Sequence, residues 1–212
     1  MKKVIFFTLV CTFINLLAPQ SMAAPVQFII DKTHQYIGFE ASHFGFSPVR
    51  GRFDDVDITL MLDEVNPEKS KVNVVVYTKS IDTDHEPRDE HLRSADFFNV
   101  SQYPEMTFSS KSLVFGKDTS SGKIVGDLTL LGITKSITLD FKLTRDAPFP
   151  LPGYNNVRTL GFLAEGSIKR ADWGMDIYLG EAIADEVHLT IQFDAVNCAG
   201  DAAKAPSCKY GR

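Results

Sequence analysis

Ser136-Ile137-Thr138-Leu139-Asp140-Phe141-Lys142-Leu143 alternates, residue by residue, between side chains that avoid water and side chains that seek it. A period of two is that of a β-strand, whose successive side chains point to opposite faces. One dry and one wet face per strand belongs to an antiparallel sheet, because strands of a doubly covered parallel sheet read as continuous apolar runs. The alternation returns in Val187, Leu189, Ile191 and Phe193 against His188, Thr190, Gln192 and Asp194. It recurs in Ile37, Phe39 and Ala41, in Val72, Val74 and Val76, and in Ile124, Gly126, Leu128 and Leu130. Further strands fit residues 49–62, bent or broken near Asp54-Asp55, and residues 105–115 and 160–168. Turn signals fall between them at Asn66-Pro67, Ser120-Ser121-Gly122, Gly132 and Pro152-Gly153. The chain is therefore expected to be all-β, with about eight antiparallel strands, the size at which a small barrel closes. Residues 169–175 read as a helical turn, 146–158 as a long proline-rich loop, and 195–212, where the period is lost, as a mobile tail.

One stretch interrupts the pattern. Between Ser80 and Pro104 the chain carries a charged block at 84–91, comprising Asp84, His85, Glu86, Arg88, Asp89, Glu90 and His91, and closes it with Phe97, Phe98 and Tyr103. The block is too polar for a core, while Leu92 and the three rings are too apolar for water. A short helical cap across one end of the barrel satisfies both, with rings inward and charges at the rim.

Small residues sit among the large ones on the inward faces: Ala41, Gly126, Ala164 and Gly166. A barrel of this size is filled by its own side chains or holds one small ligand. Inward small residues favour a cavity; the alternative is that they mark sharp bends or close packing of the wall.

The 212 residues suffice for one domain with a substantial core. The first 23 are expected to leave it. Lys2 and Lys3 precede an apolar run from Val4 to Leu17, and Ser21-Met22-Ala23 supplies a small-x-small cleavage site, the pattern of a secretory signal peptide. Cleavage after Ala23 is favoured, since a cut after Ala24 would put Pro25 next to it. Loss of the two lysines takes the formal charge from −5 to −7. Such a chain is not suited to nucleic acid, and no stable membrane insertion is expected of it. The mature domain is then 24–194, followed by a 195–212 tail containing Cys198 and Cys208, which an oxidising compartment would pair as a disulfide. A homodimer is compatible with the sequence but not required by it.

Beyond these patterns, the residues carry a resemblance. The quoted pieces are Asp31-x-x-His34, His43-x-Gly45-x-Ser47-x-Val49-x-Gly51-x-Phe53, Ser80-Ile81-Asp82-Thr83 and Arg88-Asp89-x-His91-Leu92. They continue as Asp96-Phe97-Phe98-Asn99, Tyr103-Pro104-x-x-Thr107-Phe108, Gly126-x-Leu128-Thr129-x-x-Gly132-x-Thr134 and Arg170-x-x-x-Gly174. In number and order these resemble the YceI-like family of secreted bacterial proteins over about residues 27–194. Gln35 and Trp173 depart from it, standing where Ser and Phe are usual. The resemblance implies a lipocalin-like barrel in the periplasm, with an apolar pore for an isoprenoid or similar amphiphile.

Burying ten methylene-sized groups of such a ligand is worth about 8 kcal/mol before ordering costs, against about 1–3 kcal/mol for one polar contact. Chain burial would set affinity, and polar contacts orientation. The tail is accordingly assigned to Phe39, Phe44, Phe46, Phe97, Phe98, Phe108, Phe162 and Trp173, each of which would serve equally as barrel core. The head group, a polyprenyl phosphate or a quinone, is assigned to His43, Arg88, His91 and Arg170. Arg88 and Asp89 have a competing role in locking the cap to the wall.

No catalytic residue, cofactor or metal is expected. His85 and Asp89 are spaced i, i+4, but Pro87 lies between them and the second His of H-E-x-x-H is missing. There is no G-x-S-x-G elbow and no phosphate-cradling glycine loop. Two other classes stay open: a secreted hydrolase or metal-dependent enzyme using the 84–91 rim, and a structural protein whose barrel is filled.

Overall fold

The structure, a computed structural model, describes residues 24–154, 156–180, 182–199, 203, 204, 206 and 208. The expected signal peptide lies outside the described residues. The elements run β1 (Val26–His43), β2 (Ser47–Phe53), β3 (Val56–Leu62), β4 (Lys71–Tyr77), β5 (Ile81–Asp82), α1 (Glu86–Arg93), β6 (Glu105–Phe115), β7 (Ser121–Leu130), β8 (Ile133–Pro148), β9 (Arg158–Lys169) and β10 (Ile183–Val196). Eight of the strands form a ring of antiparallel neighbours: β1, β3, β4, β6, β7, β8, β9 and β10. The ring closes where β10 returns to β1, with Ile37 opposite Ile191 and Phe39 opposite Leu189. This is the expected lipocalin-like barrel, and closure leaves its eight-stranded ring without a free edge.

The alternation predicted from residues 136–143 holds. Leu139 and Phe141 are buried, Ile137 and Leu143 partly so, and Thr138, Asp140 and Lys142 face water. Phe141 stacks on Phe162, which stacks on Phe193, so rings from three adjacent strands line one inner face.

The break expected at Asp54-Asp55 separates β2 from β3. Beyond it, β2 pairs with β1 on one side and only with the two residues of β5 on the other. The segment that follows β5 covers this place. His85 caps α1 by accepting from the Arg88 amide, and Pro87 sits in the first turn, where its missing N–H costs nothing. Three residues fasten the helix. Asp89 is buried and accepts from both the amide and the hydroxyl of Thr83. Arg88 donates to the Thr83 hydroxyl and carbonyl, each at 2.7 Å. Arg93 donates to the carbonyls of Lys79 and Ile81. Phe98 then lies edge-on against Phe53 at 5.5 Å.

Three expectations are corrected. Gly126 and Gly166 do not open the interior: a Cβ at Gly126 would stand 2.4 Å from the Phe108 ring, and one at Gly166 2.7 Å from Leu139. These glycines admit neighbouring side chains, so the space they leave is already filled. The loop at 146–158 is shorter than its prolines suggested. Pro148 still pairs with Arg158, and Arg158 grips Asp146 through two hydrogen bonds of 2.8 Å. Nor is the tail wholly free. Cys198 is bonded to Cys208, and Cys208 is buried against Val157 and Val196.

Gly126→Ala is expected to destabilise the barrel by about 1–3 kcal/mol through overpacking against the Phe108 ring and the Ser109 carbonyl. Denaturant titration checks it, and Phe108→Leu in the same chain is expected to restore part of the loss.

Candidate functional site

Alternate turns of an antiparallel barrel share an end. One end gathers the β1–β2 hairpin tip, the β7–β8 turn, the β9–β10 connection and the cap. Here the barrel opens onto a cavity of about 450 Å³. Its walls are Phe39, Ala41, Val49, Phe53, Leu92, Phe97, Phe98, Met106, Leu130, Ile168, Val187 and Leu189. A second chamber of about 90 Å³ is lined by Ile37, Val72, Val74, Val76, Phe108, Ile124, Phe162 and Phe193, among others. Phe39, Phe53, Met106, Ile168 and Leu189 border both and form a waist between them.

Most of the rings expected along a tail meet here. Phe39, Phe44, Phe97 and Phe98 line the larger chamber, and Phe39, Phe108 and Phe162 the smaller. Two are placed elsewhere. Phe46 follows the turn glycine of the β1–β2 hairpin and is 92% exposed, bordering neither chamber. Trp173 belongs to a 3-10 turn, Arg170–Trp173, that buries its ring in the core, where Nε1 donates to the Leu128 carbonyl at 3.3 Å.

All four residues expected at a head group border the larger chamber, but they differ in what remains free. Arg170 is 3% exposed and spends its guanidinium on the backbone carbonyls of Met175, Ile177, Ile183 and Ala184, at 2.7–3.1 Å. Burial lowers its pKa, and Asp185 and Asp176 oppose the shift. Its work is to shape the β9–β10 connection, whose Tyr178 and Ile183 border the opening. Arg88 uses Nε and Nη2 on Thr83, so the predicted locking role is real, yet Nη1 has no hydrogen-bond partner among the described residues. No carboxylate among the described residues forms an ion pair with either guanidinium. His91 shares a hydrogen bond of 2.9 Å with Asp96 and lies edge-on to Phe97, and His43 lies edge-on to Phe44.

Tyr178, Met106 and Leu189 also line the chamber and were not singled out beforehand. Leu189 was legible as an inward position but not as one facing a void, and Tyr178 sits in an aperiodic connection. On the charged rim, His85 caps the helix and Asp89 turns inward to Thr83, so the i, i+4 pair serves two different partners. Among the described residues no three His, Cys, Asp or Glu side chains are grouped as metal ligands.

At the opposite end, Asp31 accepts from the Thr33 amide and hydroxyl and pairs with His34 at 3.2 Å. Burial would raise the Asp31 pKa, but those hydrogen bonds prevail and lower it. Burial pushes the nearby Asp194 carboxyl above its ordinary value, against the pull of His34 and with the repulsion of Asp31.

With this geometry in view, comparison with known proteins finds a YceI-like domain over residues 28–195. Protein YceI of Escherichia coli O17:K52:H18 is 42% identical over 187 residues, covering 87% of this chain and 94% of that protein. The crystal structure of the Campylobacter jejuni YceI protein is similar with a TM-score of 0.63 and 32% identity, over 73% of this chain and 88% of that one. A polyisoprenoid-binding domain from Saccharophagus degradans shares the fold, with a TM-score of 0.58 at 13% identity over 82% of this chain and 99% of that one.

Arg170→Lys keeps a charge but cannot span four carbonyls. The expected result is a loss of about 3 kcal/mol or more, at roughly 1.5–3 kcal/mol per charged hydrogen bond lost, with faster hydrogen exchange at the amides of Met175 and Ile183. Asp194 gives a pH test. A carboxyl whose folded pKa lies above 3.8 binds its proton more tightly when folded, so its contribution to stability declines as pH rises through the folded value. Asp194→Asn should remove that decline, seen as a flatter plot of Tm against pH above 3.8 than in the parent chain.

Proposed function

The chain belongs to the YceI-like family, and from that premise we propose that its barrel binds the hydrocarbon chain of an isoprenoid amphiphile. The observation that carries this is the 450 Å³ cavity, open at one end, with an apolar wall bordered by Arg88, whose Nη1 has no hydrogen-bond partner among the described residues. An apolar void of this size suits a ligand held mainly by burial. The tail runs past Phe39 and Leu189 through the waist towards Phe108 and Phe162. An electron-rich head, a phosphate or a quinone carbonyl, meets Nη1 of Arg88 beside His43 and His91. Such groups match the fork of a guanidinium and the ring nitrogens of histidine.

The reaction is an equilibrium, sequestering or carrying the lipid without covalent chemistry. With 1–23 read as an export signal, this takes place in the periplasm. The polyisoprenoid-binding domain of Saccharophagus degradans, which has this fold, supports the class of ligand.

The test is native mass spectrometry of the exported protein, followed by extraction and uptake of added polyprenyl phosphate or ubiquinone from detergent micelles. A stoichiometric lipid adduct is expected. A protein that arrives empty and takes up neither lipid would sink the reading, and turnover of ester or phosphoester substrates would then favour the charged rim. Ala41→Phe, which fills the upper chamber, is expected to displace about three methylene-sized groups. At about 0.8 kcal/mol each this weakens binding roughly 50-fold, while a melting curve should show the barrel still folded.

A further inference from the structure

We propose that the open end of the barrel docks, weakly and reversibly, on the surface of a zwitterionic lipid bilayer, through Phe44 and Phe46 of the β1–β2 hairpin and Tyr178 and Leu179 of the β9–β10 connection. This rests on the binding of a lipid chain in the cavity, because the docking surface surrounds the cavity's opening.

The four side chains come from two segments that are tied together. The Phe44 amide donates to the Ala182 carbonyl at 2.8 Å, and the Ile183 amide to the Tyr178 carbonyl at 3.1 Å. Phe44 and Tyr178 line the mouth, while Phe46 and Leu179 stand outside it. All four are among the chain's exposed large apolar residues. At the other end, Val65, Val114 and Leu151 come from three separate segments.

The backbone at the mouth supplies an independent observation. The hairpin turns at Phe44 and Gly45 with φ of 50° and 70°, closed by the Phe46 amide donating to the His43 carbonyl. A two-residue turn with both central φ positive favours Asn and Gly, not a bulky ring. Tyr178 has the same left-handed backbone, at φ 54°. Each of these rings is 55% exposed, so the fold gains little burial in return for the strain. Phe44 meets the His43 ring and Tyr178 the His91 ring, but neither packs against the core, and backbone strain of this kind clusters where a protein makes its functional contacts.

The chemistry of the cargo selects a bilayer as that contact. Each methylene-sized group of a tail exposed to water lowers the population of the exposed state roughly fourfold. A long chain therefore reaches the cavity far more readily from a surface that meets the opening than by crossing water. Phenylalanine, tyrosine and leucine at loop tips are side chains that enter the boundary between head groups and acyl chains. The formal charge of −7 that is left once residues 1–23 are removed sets the preference for a zwitterionic over an anionic surface.

The experiment uses the full exported chain with Phe46→Ser and Leu179→Ser combined, positions that do not line the cavity. Co-sedimentation with phosphatidylcholine vesicles free of isoprenoid reads docking alone; uptake of ubiquinone from micelles reads binding alone; uptake of ubiquinone from the same vesicles reads both. The parent chain is expected to co-sediment, more weakly once phosphatidylglycerol is added. The double variant is expected to lose co-sedimentation and to load from vesicles at least tenfold more slowly, with micelle uptake unchanged. Equal vesicle loading by parent and variant, or a parent that fills from micelles but ignores vesicles, overturns docking and leaves binding intact. A parent that co-sediments but takes ubiquinone or polyprenyl phosphate from no source overturns the binding reading instead. A dimer abolished by the double variant, without vesicle association, makes the surface a contact between two copies and also overturns docking.

Discussion

The pairing of β10 with β1 is the constraint on which the rest depends. Once the last strand of the ring bonds to the first, the inward side chains of eight strands must share one enclosed volume. Strands left unclosed could flatten and pack face to face, and the inner surface would have no inside. Closure also fixes the register around the whole circuit, so that Phe39 stands beside Leu189 and Gly51 at the level where the waist forms. A slip of one residue anywhere would exchange the wet and dry faces of a strand.

Closure sets a second problem at the upper edge of β2, which pairs there with only two residues of β5. The segment running from Thr83 to Phe98 resolves it with polar fasteners on one side and rings on the other. Asp89 is the clearest case. Its carboxylate is buried, and it is satisfied by two donors from a single threonine. Arg88 both joins this network and borders the cavity, so attachment of the cap and the chemistry of the mouth are linked through one side chain.

Much of this was legible in the sequence because alternation is a local signal. The run at 136–143 needs no knowledge of its partners to declare its inner face, and the break at Asp54-Asp55 and the cap likewise follow from short-range pattern. What was illegible depends on distance in space. Gly126 reads as room, yet a ring from the neighbouring strand occupies that room. Trp173 and Phe46 are both aromatic and both near the mouth in sequence, but one is fastened to Leu128 beneath the wall and the other stands in water. Arg170 looked like a ligand contact because its charge is visible in the sequence, whereas the four carbonyls that occupy it come from a loop without period. The tail showed no pattern because a disulfide and a few apolar contacts hold Cys208 down.

The lower chamber has a consequence apart from any ligand. Its almost wholly apolar lining offers water few partners, so its 90 Å³ is void volume that the folded chain keeps and the unfolded chain does not. That is roughly 54 mL/mol, comparable to the whole volume change that accompanies the unfolding of an ordinary domain. Hydrostatic pressure therefore acts on this barrel through a specific place. Anything that fills the space beyond the waist makes the protein stiffer to compression, and the empty form is the more compressible of the two.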